Sequence, residues 1–227
     1  MEMIDSKING FVADYTCVHC KHQQKANIFP YINFNQNPEY YSKVKDLSIF
    51  NAVCENCGKK NIIQFDTLLI DETHQYFLYL LSDKSIYRSF KYKITYFVET
   101  TFNSNDKYDL DKFKTRVVFS LNDLIEKMSI FEEGLNDEAI EVVKVGLKDK
   151  NLIDNAAYDS IFFDGLENAN LEFVAFSSKT STKEPKRISI DHEFYNKVVD
   201  DISNLKDRPK DYFEVVDEDW VRSKFTT

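Results

Sequence analysis

Two cysteine pairs with the same internal spacing are the residues best placed to do chemistry. The first is Cys17-Val18-His19-Cys20 and the second Cys54-Glu55-Asn56-Cys57, with Gly58 directly after it. A C-x2-C pair brings two sulfurs onto one metal ion from a single tight turn, and two such turns complete a tetrahedron. Gly58 suits the second turn, because a residue without a Cβ lets the backbone bend beneath a metal. The chain has four cysteines, all of them in the two pairs, so no thiol is left over. The spacing predicts one structural zinc site with Cys17, Cys20, Cys54 and Cys57 as ligands. Iron also accepts four thiolates and is the alternative. Four protein ligands close the coordination sphere, whereas catalytic zinc keeps a position open. His19 and His22 flank the first pair. Either can bind a metal, but four thiolates already suffice, so both read as exposed or supporting side chains.

Acid–base chemistry has weaker candidates. Asp66, Asp71 and His74 sit on or beside an expected hairpin, and a carboxylate beside a histidine can move protons. Turns favour the same residues for hydrogen-bonding reasons alone. Asp191-His192-Glu193 opens an expected helix, where acids favour the N-terminal dipole. Asp200 and Asp201 read as solvated charges on that helix. No phosphate-binding loop, dinucleotide fingerprint or nucleophile elbow is present. No catalytic residue is therefore assigned, and no reaction is read.

The elements that must position the cysteines follow from pattern. Residues 15–22 read as a strand end running into the first turn, and residues 23–34 as an edge strand interrupted by Pro30. Asn37-Pro38 reads as a helix start, with Asn37 as cap. Residues 47–53 return as a strand to the second pair. Residues 61–70 and 75–81 read as a hairpin around Asp71-Glu72-Thr73-His74. Residues 92–100 look like a strand, and 103–106 like a turn. Ser120 with Asp123 predicts a capped helix to Phe131, stopped by Gly134. Asn136 or Asp137 starts a second helix to Leu147, so the two form an αα-hairpin. Residues 158–163 and 171–177 read as a hairpin turning at Asp164-Gly165, followed by a polar loop over 177–184 and a short strand over 187–190. A helix over 192–205 capped by Asp191, a strand over 213–216 and a final turn carrying Trp220 complete the chain. No internal repeat is evident.

The chain has 227 residues, 43% of them hydrophobic, enough for a core without disulfides. No apolar run approaches the ~20 residues of a membrane span, and residues 1–10 carry acids and no apolar core, unlike a signal peptide. The expected location is the cytoplasm, where thiols stay reduced and bind metals. The formal charge is −9, divided as −1 over residues 1–90 and −8 over 91–227. Nucleic-acid binding ordinarily shows a basic footprint, so this balance argues against it and favours a basic protein partner.

Residues 15–81 resemble the CpXC domain, a bacterial and archaeal family named for its cysteine knuckles. The resemblance rests on Tyr15-Thr16-Cys17-Val18-His19-Cys20, on Cys54-Glu55-Asn56-Cys57-Gly58 and on Gln64-Phe65-Asp66-Thr67-Leu68-Leu69-Ile70-Asp71. It continues more loosely through Asp123-Leu124-Ile125-Glu126-Lys127-Met128, Gly134-Leu135-Asn136-Asp137-Glu138-Ala139-Ile140-Glu141 and Val216-Asp217-Glu218-Asp219-Trp220. Val18 and Glu55 depart from the proline that the family favours after the first cysteine of a knuckle. The resemblance implies a fold and a metal, and no reaction.

The expected fold is α+β: a zinc-ribbon-like β domain over residues 1–82, a connecting segment over 83–114, and an α+β region with the αα-hairpin over 115–227. The expected function is that of a cytosolic zinc-binding interaction protein without evident catalysis, such as an acidic inhibitor or immunity-type protein. One alternative is a nucleic-acid-associated zinc-ribbon factor, with Lys21, Lys25, Lys59 and Lys60 meeting phosphates and Phe29, Tyr31 and Phe34 stacking on bases. Against it, large aromatics ordinarily fill a core. The other alternative is an enzyme with a pocket between the two parts.

Overall fold

Residues 68–70 and 76–81 are two unbroken apolar runs on either side of a polar turn, which suits strands buried on both faces, and they form the centre of the larger sheet. The computed structural model describes residues 10–102, 110–177, 184–203 and 212–225. It is α+β and divides into two compact units, Met1–Ile125 with Tyr212–Glu214, and Glu126–Asp211 with Val215–Thr227.

The first unit contains two two-stranded hairpins and a four-stranded sheet. Strands β1 (Phe11–Thr16) and β2 (Gln23–Ile28) pair antiparallel, as do β4 (Asn51–Val53) and β5 (Lys60–Ile62). The larger sheet has the order β3 (Tyr31–Asn33), β6 (Thr67–Asp71), β7 (Tyr76–Leu80) and β8 (Lys114–Val118). Its central hairpin is antiparallel and its two outer pairings are parallel. Every residue of β6 is buried, and Phe77, Leu78 and Leu80 of β7 are fully enclosed. Helix α1 (Glu39–Lys45) buries Val44, and helix α2 (Tyr87–Phe102) follows β7.

In the second unit an antiparallel sheet of order β11 (Lys186–Ile190), β10 (Asn170–Phe176) and β9 (Ser160–Glu167) accompanies helices α4 (Asp137–Asp149), α5 (His192–Ser203) and α6 (Glu218–Phe225). Helix α4 packs against α5 and α6. Val145, Val216, Trp220 and Val221 form one apolar cluster there. Helix α3 (Leu121–Glu132) runs across the division between the units. It starts on Ser120, whose hydroxyl accepts the Asp123 N–H at 3.1 Å, and it ends before Gly134 at φ +68°. Asn136 caps α4 by accepting the Glu138 N–H at 2.9 Å. Asp191 and Asp217 likewise accept N–H bonds from Glu193 and Trp220.

Several expectations are corrected. Residues 92–100 are helical, because Tyr87, Phe90 and Ile94 turn inward at helical spacing, and that periodicity overrides the β-propensity of the individual residues. The hairpin over β9 and β10 turns at Asn168-Ala169, both left-handed at φ 50° and 65°, as a two-residue hairpin turn requires. Asp164-Gly165 is instead a bulge within β9, where the register shifts and Gly165 adopts φ 128°. The Asn37 side chain does not cap α1, since it donates to the Asn33 carbonyl. The strand expected over 47–53 shrinks to β4 behind a short 3-10 turn at Ser48–Phe50. Residues 213–216 make one bridge, between Glu214 and Arg116. The expected turn at 103–106 and most of the expected loop over 177–184 lie outside the described residues.

The second unit also buries a charge network that no sequence pattern announced. Lys127 lies 3.3 Å from Asp137 and 3.1 Å from Glu141, and Lys144 lies 2.9 Å from Glu126 and 3.1 Å from Glu141. Glu126 also accepts the Phe163 N–H at 2.7 Å. Burial pushes the Glu126 carboxyl up despite Lys144. Burial acts on Glu141 in the same direction, but Lys127 and Lys144 outweigh it and hold that carboxyl low. Replacing Lys127 by Met leaves Asp137 and Glu141 buried without their shared cation. It is expected to lower the unfolding free energy by about 3–5 kcal/mol at neutral pH. In the parent protein the Glu141 contribution is present above the ordinary Glu value of about 4.3 and is lost as acid protonates the group through its lower folded value. In Lys127→Met only Lys144 still opposes burial at Glu141, so that carboxyl is expected to rise, and the deficit relative to the parent is expected to shrink as pH falls toward about 4. Denaturant midpoints at the two pH values check both statements.

Candidate metal centre

Each cysteine pair sits at the tip of one small hairpin, and the two tips have the same backbone geometry. The Cys17 N–H donates to the His22 carbonyl at 2.9 Å, and the Cys17 carbonyl accepts the Lys21 N–H at 3.0 Å. At the second tip Cys54 N–H donates to Lys59 at 2.9 Å, and the Cys54 carbonyl accepts the Gly58 N–H at 2.8 Å. The fourth residue after the first cysteine is left-handed in both, Lys21 at φ 62° and Gly58 at φ 69°. The turn folds back tightly enough to aim both cysteines of a pair inward, while β1–β2 and β4–β5 carry the chain in and out.

The four sulfurs converge. All lie within 4.8 Å of one another, with Cys17 and Cys57 Sγ at 3.8 Å and Cys20 and Cys54 Sγ at 3.6 Å. A zinc–sulfur bond of about 2.3 Å places sulfurs of a regular tetrahedron about 3.8 Å apart, so the set fits a four-thiolate metal ion. Cys17 and Cys54 are buried, and Cys20 and Cys57 are half-buried. All four are free thiols.

Polar groups around the sulfurs orient them. Burial raises the Cys17 thiol, but donation from the backbone of Cys20 and His19, together with the Cys54 thiol, outweighs it and brings Cys17 down to about 6. The Asn56 amide, 3.6 Å from Cys20 Sγ, leads the groups that lower Cys20. Cys57 receives backbone donation from Lys59, which lowers it, yet burial and the three neighbouring sulfurs push it up to about 11. Four anions cannot share so small a space without a cation, and a bound metal ion supplies one.

Two side-chain amides lock the hairpins to each other. Gln24 Nε2 donates to the Val53 carbonyl at 3.0 Å and its Oε1 accepts the Glu55 N–H at 2.9 Å, so it grips the backbone on both sides of Cys54. Asn61 Oδ1 accepts the Val18 N–H at 3.0 Å, next to Cys17, while its Nδ2 donates to the Lys59 carbonyl at 3.1 Å. Each amide stands four residues beyond the second cysteine of its own pair. Sequence reading missed both. The available signal was a short repeat, C-x2-C-x3 followed by Gln or Asn.

Other candidates fall elsewhere. His19 is exposed, with Nε2 3.4 Å from the Lys60 carbonyl, and His22 is exposed; neither joins the sulfur cluster. Asp71 accepts the N–H groups of Thr73 and His74 and pairs with His74 Nδ1 at 2.8 Å, which builds the β6–β7 turn. Asp66 accepts from the Ser82 N–H and hydroxyl. Asp200 and Asp201 are exposed on α5. Lys21, Lys25, Lys59 and Lys60 are exposed. The aromatics proposed to stack on bases have protein partners instead: Phe29 meets Tyr40 and Phe65, and buried Phe34 meets Tyr41. A groove of about 690 Å³ beside the first hairpin is lined by Asp14, Tyr15, His22, Gln24, Lys25 and Glu55 among others. No described helix is long and apolar enough to cross a membrane.

The left-handed positions make a paired prediction. Lys21→Gly removes a Cβ from φ 62° and is expected to stabilise by about 1 kcal/mol. Gly58→Ala puts one at φ 69°, where it meets no atom within 4 Å, so only backbone strain acts. It is expected to destabilise by about 1–2 kcal/mol. Thermal midpoints of the two metal-loaded variants should move in opposite directions.

A family model described as CpXC protein matches residues 15–144, more than half of the chain. No curated protein and no solved structure matches it.

Proposed function

Because the chain belongs to the CpXC family, with its two cysteine tips converging on one centre, we propose that it is a cytosolic interaction protein whose zinc-ribbon-like segment, residues 1–82, serves as a rigid recognition platform. Zinc is the metal that best suits four thiolates with no open position, and its role here is structural. The metal holds two hairpins that bury little else, so binding it and ordering them are one event. The chain's charge of −9 favours a basic protein as partner, as expected of an inhibitor or immunity-type protein.

The observation that carries this reading is on the hairpin of the second pair. Val53 and Ile62 are 55% and 66% exposed. The register sets Val53 opposite Lys60, two residues from Ile62, so both side chains lie on one face of β4–β5. Apolar side chains displayed together on a small rigid element are characteristic of recognition surfaces.

Purified without chelator, the protein is expected to carry one zinc per chain by elemental analysis. Cys54→Ser is expected to lose the metal and to lower the thermal midpoint more than His19→Ala or His22→Ala. Well under one zinc or iron per chain would overturn the metal assignment. The interaction reading is tested by capture from the native cell with the parent and with Val53→Asp/Ile62→Asp, both zinc-loaded and of equal thermal midpoint. Basic proteins held by the parent and lost by the variant support it. The same proteins on both baits would refute the assigned surface.

A further inference from the structure

Helix α2 carries a second surface, unrelated to the cysteines. Its inner side is used: the Tyr87 hydroxyl donates to the Phe213 carbonyl at 3.0 Å, Phe90 lies 4.3 Å from Tyr79 between ring centroids, and Ile94 is buried. The opposite side shows Tyr92 at 80% and Tyr96 at 69% exposure. Arg88 and Glu99 are exposed at either end of the same stripe. Positions 88, 92 and 96 repeat every fourth residue, and 99 follows three later, which keeps all four on one face. Among the described residues, the side chains of Arg88, Tyr92, Tyr96 and Glu99 make no ion pair, hydrogen bond or ring contact; the Tyr96 carbonyl accepts only from the Thr100 hydroxyl of the same helix. Exposed tyrosines flanked by an arginine are the residues that dominate protein contacts.

The order of charges along the stripe selects the occupant. A cation stands at one end and an anion at the other, about 16 Å apart for eleven residues of helix. A uniformly acidic or phosphate-bearing partner would be attracted at Arg88 and repelled at Glu99. The complementary stripe is the same one reversed, and a second copy of this chain lying antiparallel presents it. The midpoint of Arg88 and Glu99 falls between Tyr92 and Tyr96. A two-fold axis there sets each Arg88 against Glu99 of the other copy, with the four tyrosines packed between the two ion pairs. Lys93 lies to one side of the stripe, free to remain in solvent.

We propose that the protein self-associates through α2, as an isologous antiparallel helix pair closed by two Arg88–Glu99 contacts around a tyrosine centre. Isologous contacts repeat every interaction twice, so a single substitution acts on both ends. One helix stripe buries less than the interfaces of permanent dimers, so the association is concentration-dependent. It weakens as salt screens the ion pairs.

Sedimentation equilibrium over a wide concentration range, on the full zinc-loaded chain, tests this. The parent is expected to show a monomer–dimer equilibrium. Arg88→Glu and Glu99→Arg are each expected to raise the dissociation constant at least roughly tenfold, since each turns two attractions into two repulsions. The double variant Arg88→Glu/Glu99→Arg is expected to restore dimerisation, and Tyr92→Ser/Tyr96→Ser to abolish it. All four positions are exposed, and unchanged helix content with an unchanged thermal midpoint confirms that each variant is folded. A parent that stays monomeric at millimolar concentration, single reversals that leave the dimer intact, or a double reversal that fails to restore it would each overturn the proposal.

Discussion

A two-stranded hairpin buries too little to hold its shape alone in water, and the cysteine-bearing part of this chain is built from two of them. Strand β1 has no fully buried residue, β4 has none, and β5 has only Asn61. Apart from Asn61 and Ile28 at the end of β2, what these hairpins bury are Cys17 and Cys54. The decisive constraint is therefore electrostatic: four sulfurs within 4.8 Å are stable together as anions only around a cation. The tight tips, the left-handed Lys21 and Gly58, and the amides of Gln24 and Asn61 all serve to bring the sulfurs to that spacing. The amides do so by satisfying backbone groups beside the first cysteine of the opposite pair. The local structure exists to meet the geometry of the centre, and the centre replaces the apolar core that the hairpins lack.

The second unit meets a related difficulty without a metal. Three carboxylates and two ammonium groups are enclosed between α3 and α4, and each lysine touches two acids. Burying charge is costly unless the partners are close and the remaining lone pairs are used. Here the Phe163 N–H takes up one lone pair of Glu126. In such a network any slip of the helices leaves a buried charge without its partner.

The surfaces divide along the same lines. Overall acidity coexists with a locally basic helix, in which Lys84, Arg88, Lys91 and Lys93 face only Glu99 in opposition over residues 84–102. Exposed side chains that a core would have used, Val53 and Ile62 on one hairpin and Tyr92 and Tyr96 on α2, mark two separate faces. Neither face depends on the other, since one lies on the hairpins held by the sulfurs and the other on a helix anchored by Tyr87, Phe90 and Ile94.

The sequence by itself determined the four sulfurs and their grouping, because a C-x2-C turn is a local geometry set by a few consecutive residues. It also determined the capped helices α3 and α4 and the buried pair β6 and β7, whose caps and apolar runs are local too. It could not decide between strand and helix over 92–100, where aromatic and β-branched residues favour one and the inward spacing of Tyr87, Phe90 and Ile94 favours the other. Nor could it separate a turn from a bulge at Asp164-Gly165, since both use the same residues and only the pairing of Phe163 with Phe173 tells them apart. The tertiary structure alone decided that Gln24 and Asn61 reach across to the opposite cysteine tip, and that Glu126, Lys127, Asp137, Glu141 and Lys144 meet in one buried network. Those contacts join residues 14 to 43 positions apart, and a polar side chain carries no mark in the sequence that says whether its partner will be water or another part of the chain.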